Sequence, residues 1–176
     1  MLFRSVKDTN VTNQSSSTHG GATASASVTS GTVSPEDQNK ESIGKAASSV
    51  TKQNITWTAT IGVPAIGLSE AVLTDTLPQQ WVGRTYVVEE PASYTDADIK
   101  ISGLADGEMY VIAPVTSDGR TTGFTVTFYR DAAKSVPSLK ATGSRRQITV
   151  TYTTANNENW VTDQPTTAHT NNVTFN

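Results

Sequence analysis

Three side chains in this sequence, Lys45, Asp75 and Asn171, are of the types that can condense with one another if a fold brings them together in a dry interior. Burial disfavours charge, so it lowers the pKa of a lysine and raises that of an aspartic acid. The proton can then pass to the carboxyl and leave a free amine. Such an amine attacks the Asn side-chain carbonyl. The protonated acid hydrogen-bonds to that oxygen, polarises it and shuttles protons as ammonia leaves. The product is an amide joining two segments of one chain.

The elements that must position these groups can be read from strand phase, since residues two apart on a strand share a face. In Asn54–Ile61, residues Ile55, Trp57, Ala59 and Ile61 share one face and Thr56, Thr58 and Thr60 the other, the pattern of a half-buried antiparallel strand. In Ala71–Leu77, Asp75 is in phase with Ala71, Leu73 and Leu77, and Pro78 ends the run. In Thr170–Asn176, Asn171 is in phase with Val173 and Phe175. An acid and an amide thus point inward, and each needs a partner, because an unpaired buried polar group costs a few kcal/mol. Backbone groups at the strand ends could supply those partners; a buried lysine is the reactive alternative. Lys45 is in phase with Ile43 and Ala47, although Ser48-Ser49 can break that register. Lys52 falls on the polar face with Asn54 and Thr56 and is the rival amine, and Asn172 is the out-of-phase rival to Asn171.

Further strands are expected at Gly83–Glu89, Asp98–Gly103, Met109–Ala113, Gly123–Tyr129 and Gln147–Thr153, with a loop or a helical turn over Asp131–Ser144. Short alternating runs separated by Gly, Pro and Asp predict an all-β fold, a sandwich or a barrel, over about 43–176. Residues 1–42 are rich in Ser, Thr, Gly, Asn and Ala and poor in large apolar side chains, a composition expected of a disordered linker or stalk.

Composition narrows the function classes. The net charge of −3, with basic residues scattered singly except at Arg145-Arg146, offers no stripe that could follow a nucleic-acid backbone. No run approaches the roughly 18 apolar residues of a membrane span, and the apolar start is too short for a signal peptide. With no cysteine and two isolated histidines, His19 and His169, neither a disulfide framework, a metal centre nor a cofactor is expected. Asp96, Asp98 and Asp106 lack calcium-loop spacing and read as solvated loop acids. Trp57 reads as a core anchor, while Trp81, Tyr86, Tyr94 and Trp160 fall near strand ends or loops. No nucleophile–base signature marks a turnover enzyme. The missing leader and the end at Asn176 within a strand suggest a piece of a longer protein.

The segments 55–61 (ITWTATI), 71–78 (AVLTDTLP), 148–154 (ITVTYTT) and 171–176 (NNVTFN), in that order, resemble the collagen-adhesin A-type domain of Gram-positive cell-wall adhesins. The resemblance covers about 43–176. It implies an Ig-like β-sandwich with an intramolecular isopeptide bond, Lys45 supplying the amine, Asp75 shuttling the proton and Asn171 accepting. It also implies an extracellular place on the bacterial cell wall, neighbouring domains of the same surface protein, and a host extracellular-matrix partner such as collagen. The alternative is a mechanical spacer of a surface protein or pilus that binds no ligand.

Overall fold

The computed structural model describes the backbone of residues 9–19, 22–33, 41–51, 53–82, 85–155 and 168–175. In chain order the strands are β1 (Thr9–His19), β2 (Ala22–Val33), β3 (Ser42–Val50), β4 (Asn54–Val63), β5 (Leu68–Ser69), β6 (Val72–Thr76) and β7 (Gln79–Val82). They continue with β8 (Thr85–Val88), β9 (Ile99–Ser102), β10 (Met109–Ser117), β11 (Arg120–Tyr129), β12 (Ser138–Leu139), β13 (Arg146–Ala155) and β14 (Ala168–Phe175). One sheet runs β1-β2-β14-β6-β11-β10 and the other β3-β4-β13-β9. β5 pairs with β12 and β7 with β8 as short ribbons. Neighbours are antiparallel except β2 and β14, which are parallel. The protein is all-β, as the alternation predicts, and a sandwich of two main sheets, as the family resemblance implies.

The period-two pattern explains why these strands form and which way they face. Along β4 the buried residues include Ile55, Trp57, Ala59 and Ile61, and along β13 they include Ile148, Val150 and Tyr152. On the opposite face of the same pair, Thr56 meets Thr153 with hydroxyls 3.0 Å apart, and Thr58 meets Thr151 at 3.3 Å. β-Branched threonines suit the pleat, and cross-strand Thr pairs each contribute a few tenths of a kcal/mol or more, up to about 1. From the facing sheet, Leu73 of β6 and Phe124, Val126 and Phe128 of β11 close the core. The Phe124 and Tyr152 rings meet edge to face across the two layers, with centroids 5.0 Å apart. Burying each of the larger core side chains stabilises the fold by about 1.5–3 kcal/mol.

One turn and one close approach between strands set the sheet carrying the acid. The β10–β11 hairpin closes on Asp118-Gly119, both with positive φ (51° and 74°), between the paired residues Ser117 and Arg120. That is the Asp-Gly signature of a two-residue hairpin. Further along β11, Gly123 lies opposite Thr76, and a Cβ there would run into the backbone oxygen of Asp75. The missing side chain lets β11 lie close against β6 at the residue that matters for the site.

Several boundaries differ from the sequence reading. Residues 9–33, inside the segment that composition assigns to a linker, carry the strands β1 and β2. β2 adds to the sheet along β14, from Ala168↔Thr23 to Asn172↔Ser27. A Thr- and Ser-rich strand can be held by backbone pairing to a neighbour distant in sequence, which composition does not register. The strand expected at Gly83–Glu89 is β8, and it pairs with β7, a strand that the sequence reading did not name. The expected loop over Asp131–Ser144 contains β12, whose partner β5 is far upstream.

Candidate functional site

β3 and β4 pair in register from Ser42↔Gly62 to Ala47↔Trp57, then slip by one residue at Ser48. The slip falls where Ser48-Ser49 interrupts the alternation. Upstream of it, Lys45 keeps the inward phase and is 3 % exposed. It lies opposite Ala59, which lies opposite Val150. Ala59 presents only a methyl group there, which leaves room for the lysine stem to extend between the layers. Lys52 lies outside the described residues.

The acid and the amide come from the other sheet. Asp75, 1 % exposed, sits on β6 directly opposite Val173 of β14, and Asn171, two residues before Val173, is fully buried on the same face. Asn172 is exposed and paired with Thr76. Diagonal neighbours on adjacent strands are too far apart for two short side chains to meet. Asp75 and Asn171 accordingly share no hydrogen bond among the described residues. Two groups from the opposite sheet fill the gap between them.

The first is the Lys45 ammonium. It forms a short ion pair with Asp75 Oδ2, donates to Asn171 Oδ1 at 2.6 Å and donates to the Tyr152 hydroxyl at 2.8 Å. All three of its protons are used. The second is the Tyr152 hydroxyl, which donates to Asp75 Oδ1 at 2.9 Å and accepts from Asn171 Nδ2 at 2.6 Å. With Lys45 also donating to it, one donor and two lone pairs are all engaged. The Lys45 nitrogen lies 5.2 Å from the Tyr152 ring centre and 5.7 Å from that of Trp57, so the cation is also walled by aromatic faces. Trp57 in turn donates its indole N–H to Thr154 Oγ1 at 3.1 Å.

The electrostatics follow from the dryness. Burial pulls Lys45 down to about 8 against the opposing pull of the Asp75 charge and hydrogen bond. Burial pushes Asp75 up, with Lys45 and Tyr152 counteracting. Tyr152 is driven well above the usual phenol value, first by burial and then by the Asp75 charge, so its hydroxyl stays protonated. The amine and the acid have moved toward each other, which is what proton transfer between them requires.

Lys45, Asp75 and Asn171, separated by up to 126 positions in the chain, are thus gathered into one buried cluster. Tyr152, within the strand expected at Gln147–Thr153, is the member that sequence reasoning did not single out. Its inward phase was legible, but nothing in phase distinguishes a tyrosine whose hydroxyl meets polar groups from one that only packs.

The chain is similar to a bacterial pilus backbone. The structure of the pilus backbone RrgB from Streptococcus pneumoniae aligns at 15 % identity and a TM-score of 0.42, over 67 % of this chain and 27 % of that one. The full-length RrgB pilus protein of the same organism aligns at 14 % identity and a TM-score of 0.34, over 66 % of this chain and 20 % of that one. The chain therefore spans between about a fifth and about a quarter of the length of these proteins. No family model matches the chain, and no curated protein matches it. The similarity is to a pilus protein and does not single out the collagen-adhesin A-type family.

The remaining candidates fall elsewhere. Asp98 accepts from the Ser93 hydroxyl at 2.6 Å, and the backbone oxygens of Asp96 and Asp106 accept from Lys100 and Lys140. Among the described residues no cluster of three or more His, Cys, Asp or Glu side chains could hold a metal. The Tyr94 ring packs against Phe124 with centroids 6.1 Å apart, so it belongs partly to the core. Trp160 and the side chains of His19, His169, Trp81 and Tyr86 lie outside the described residues.

Proposed function

We propose that this chain is a mechanical spacer module of a bacterial surface protein or pilus, locked by a self-formed amide between Lys45 and Asn171. The observation that carries the reading is the buried contact of Lys45 Nζ with both the Asp75 carboxylate and the Asn171 amide, across two sheets. The amine forms a bond to Asn171 Cγ and gives up a proton; the bond from Cγ to Nδ2 breaks, and the nitrogen leaves as ammonia. This is one self-modification without turnover. Load entering near β3 and leaving through β14 would then pass through the bond, and the segment between would not unzip. By resemblance, the module stands outside the cell on the wall, in line with neighbouring domains of the same protein. The host-matrix partner, collagen-like, draws on that resemblance alone, whereas the spacer reading draws on the cluster.

Stretching single molecules of the chain tests the proposal. A Lys45–Asn171 bond hides the 126 positions between its ends, about 400 Å of contour length at roughly 3.4 Å per residue. Wild-type protein should extend without releasing that length, and Asn171→Ala should release it. Release by the wild type would overturn the crosslink. Saturable binding of the chain to immobilised collagen would overturn the spacer in favour of an adhesin.

A further inference from the structure

Resting on the crosslink reading, we infer that the Tyr152 hydroxyl is a catalytic group of bond formation, the relay that carries the proton from Asp75 to the departing amide nitrogen of Asn171. The leaving nitrogen must gain a proton to depart as ammonia, and Asp75 does not touch it. The Tyr152 hydroxyl touches both, at 2.9 Å from Asp75 Oδ1 and 2.6 Å from Asn171 Nδ2. It is also 2.8 Å from the attacking nitrogen, so one oxygen contacts the nucleophile, the acid and the leaving group.

The proton balance closes on these atoms. Before attack, Lys45 gives a proton to the Tyr152 oxygen and Tyr152 gives its own to Asp75 Oδ1, leaving a neutral amine and a carboxylic acid whose Oδ1–H now donates toward Tyr152. The amine lone pair forms the bond to Asn171 Cγ, and the carbonyl electrons move to Oδ1. Three transfers then complete the step. The positively charged Nζ gives a proton to Asp75 Oδ2, Asp75 Oδ1 gives its proton to the Tyr152 oxygen, and Tyr152 gives its own proton to Asn171 Nδ2. As the bond from Cγ to Nδ2 breaks, the carbonyl re-forms and ammonia departs. Asp75 ends protonated on the other oxygen, Tyr152 ends neutral, and no co-reactant is consumed.

The phenol is suited to this role because it is held protonated by burial and works by exchange, without ionising. Its position is set from both sides. β13 is paired with β4 at Tyr152↔Trp57 and with β9 at Tyr152↔Ile99, which fixes the ring, while Phe124 packs against its edge. A hydroxyl on so constrained a ring has its reach determined by the sheet.

The test follows crosslinking by intact mass during cell-free synthesis of the full chain. The readout is the deficit of about 17 Da that loss of ammonia from an amine and an amide requires. Tyr152→Phe removes the hydroxyl and should slow the deficit by about 10²-fold or more, the usual contribution of general acid–base catalysis. Since the hydroxyl could merely hold its neighbours, a second arm places 3,5-difluorotyrosine at position 152, keeping the ring and the hydroxyl but making the phenol more acidic. A relay predicts that this variant changes the rate by about threefold or more. A difluorotyrosine rate closer to wild type than that, or a Tyr152→Phe rate equal to wild type, overturns the relay and leaves the crosslink standing. If Tyr152→Phe does not fold, the difluorotyrosine arm decides. A wild-type chain at its full sequence mass overturns the crosslink itself and the relay with it.

Discussion

Replacing Asn171 by Ala removes the acceptor and leaves Lys45, Asp75 and Tyr152 in place. The bond it abolishes would close a loop between positions 126 apart. For a loop of that length, chain-entropy arithmetic gives about 5 kcal/mol of stabilisation through the unfolded state. The variant also loses the hydrogen bonds of the amide to Lys45 and Tyr152, and the polar groups left behind add about 1–3 kcal/mol. A folded unit of about 130 residues has an unfolding entropy of about 0.27 kcal/mol/K, so each kcal/mol moves the midpoint by roughly 4 °C. The expected fall in Tm is therefore about 20 °C or more. Intact mass and thermal melting by circular dichroism, on the same preparations, check both halves. The wild type should be lighter than its sequence by about 17 Da, and the variant should have its full mass. A variant that loses the deficit yet melts within about 5 °C of wild type would refute the loop-closure reasoning, because closing the loop supplies most of the expected loss.

Bond formation should show a bell-shaped pH dependence, because the reactive state of the Lys45–Asp75 pair holds one proton. At low pH both groups are protonated and the amine is blocked. Above about 8, where Lys45 titrates, the pair loses the proton that the leaving nitrogen needs, and the initial rate should fall; a rate still climbing at pH 10 would contradict this. In the uncrosslinked Asn171→Ala chain the sign differs for the two groups. The depressed Lys45 means that the unfolded chain binds more protons between about 8 and 10.5, so this contribution to stability rises with pH there, by about 3 kcal/mol at most. The raised Asp75 means that stability falls as pH climbs from 3.8 through its elevated value. Denaturant melts of Asn171→Ala against Asn171→Ala/Lys45→Met isolate the lysine part. Gly123→Ala pushes a methyl group onto the Asp75 backbone oxygen and should cost about 1–3 kcal/mol while slowing the mass deficit; an unchanged rate would show that the β6–β11 approach does not position the acid. Thr154→Val strands the buried Trp57 N–H and should cost about 1–3 kcal/mol in urea denaturation, with the deficit still formed at completion.

The sequence by itself determined which faces of the central strands are wet and which dry. The alternation through Ile55, Trp57, Ala59 and Ile61 places Thr56 and Thr58 outward, and the structure pairs them with Thr153 and Thr151. The same rule put Asp75, Asn171 and Lys45 inside, because side-chain direction along a strand is a local property with a period of two. Local rules fail where a strand is held by a partner far away in the chain. β2 adds to β14, and β12 finds β5, through backbone hydrogen bonds that leave no mark on composition. Tertiary structure alone decided the contacts within the site. Strand phase could put Asp75 and Asn171 on one face, but only the register of β6 against β14 sets them diagonally apart. Only the packing of the second sheet brings Lys45 and the Tyr152 hydroxyl into the space between them. A few ångströms of sheet register decide which polar atoms touch, and that distance is fixed by all the strands together.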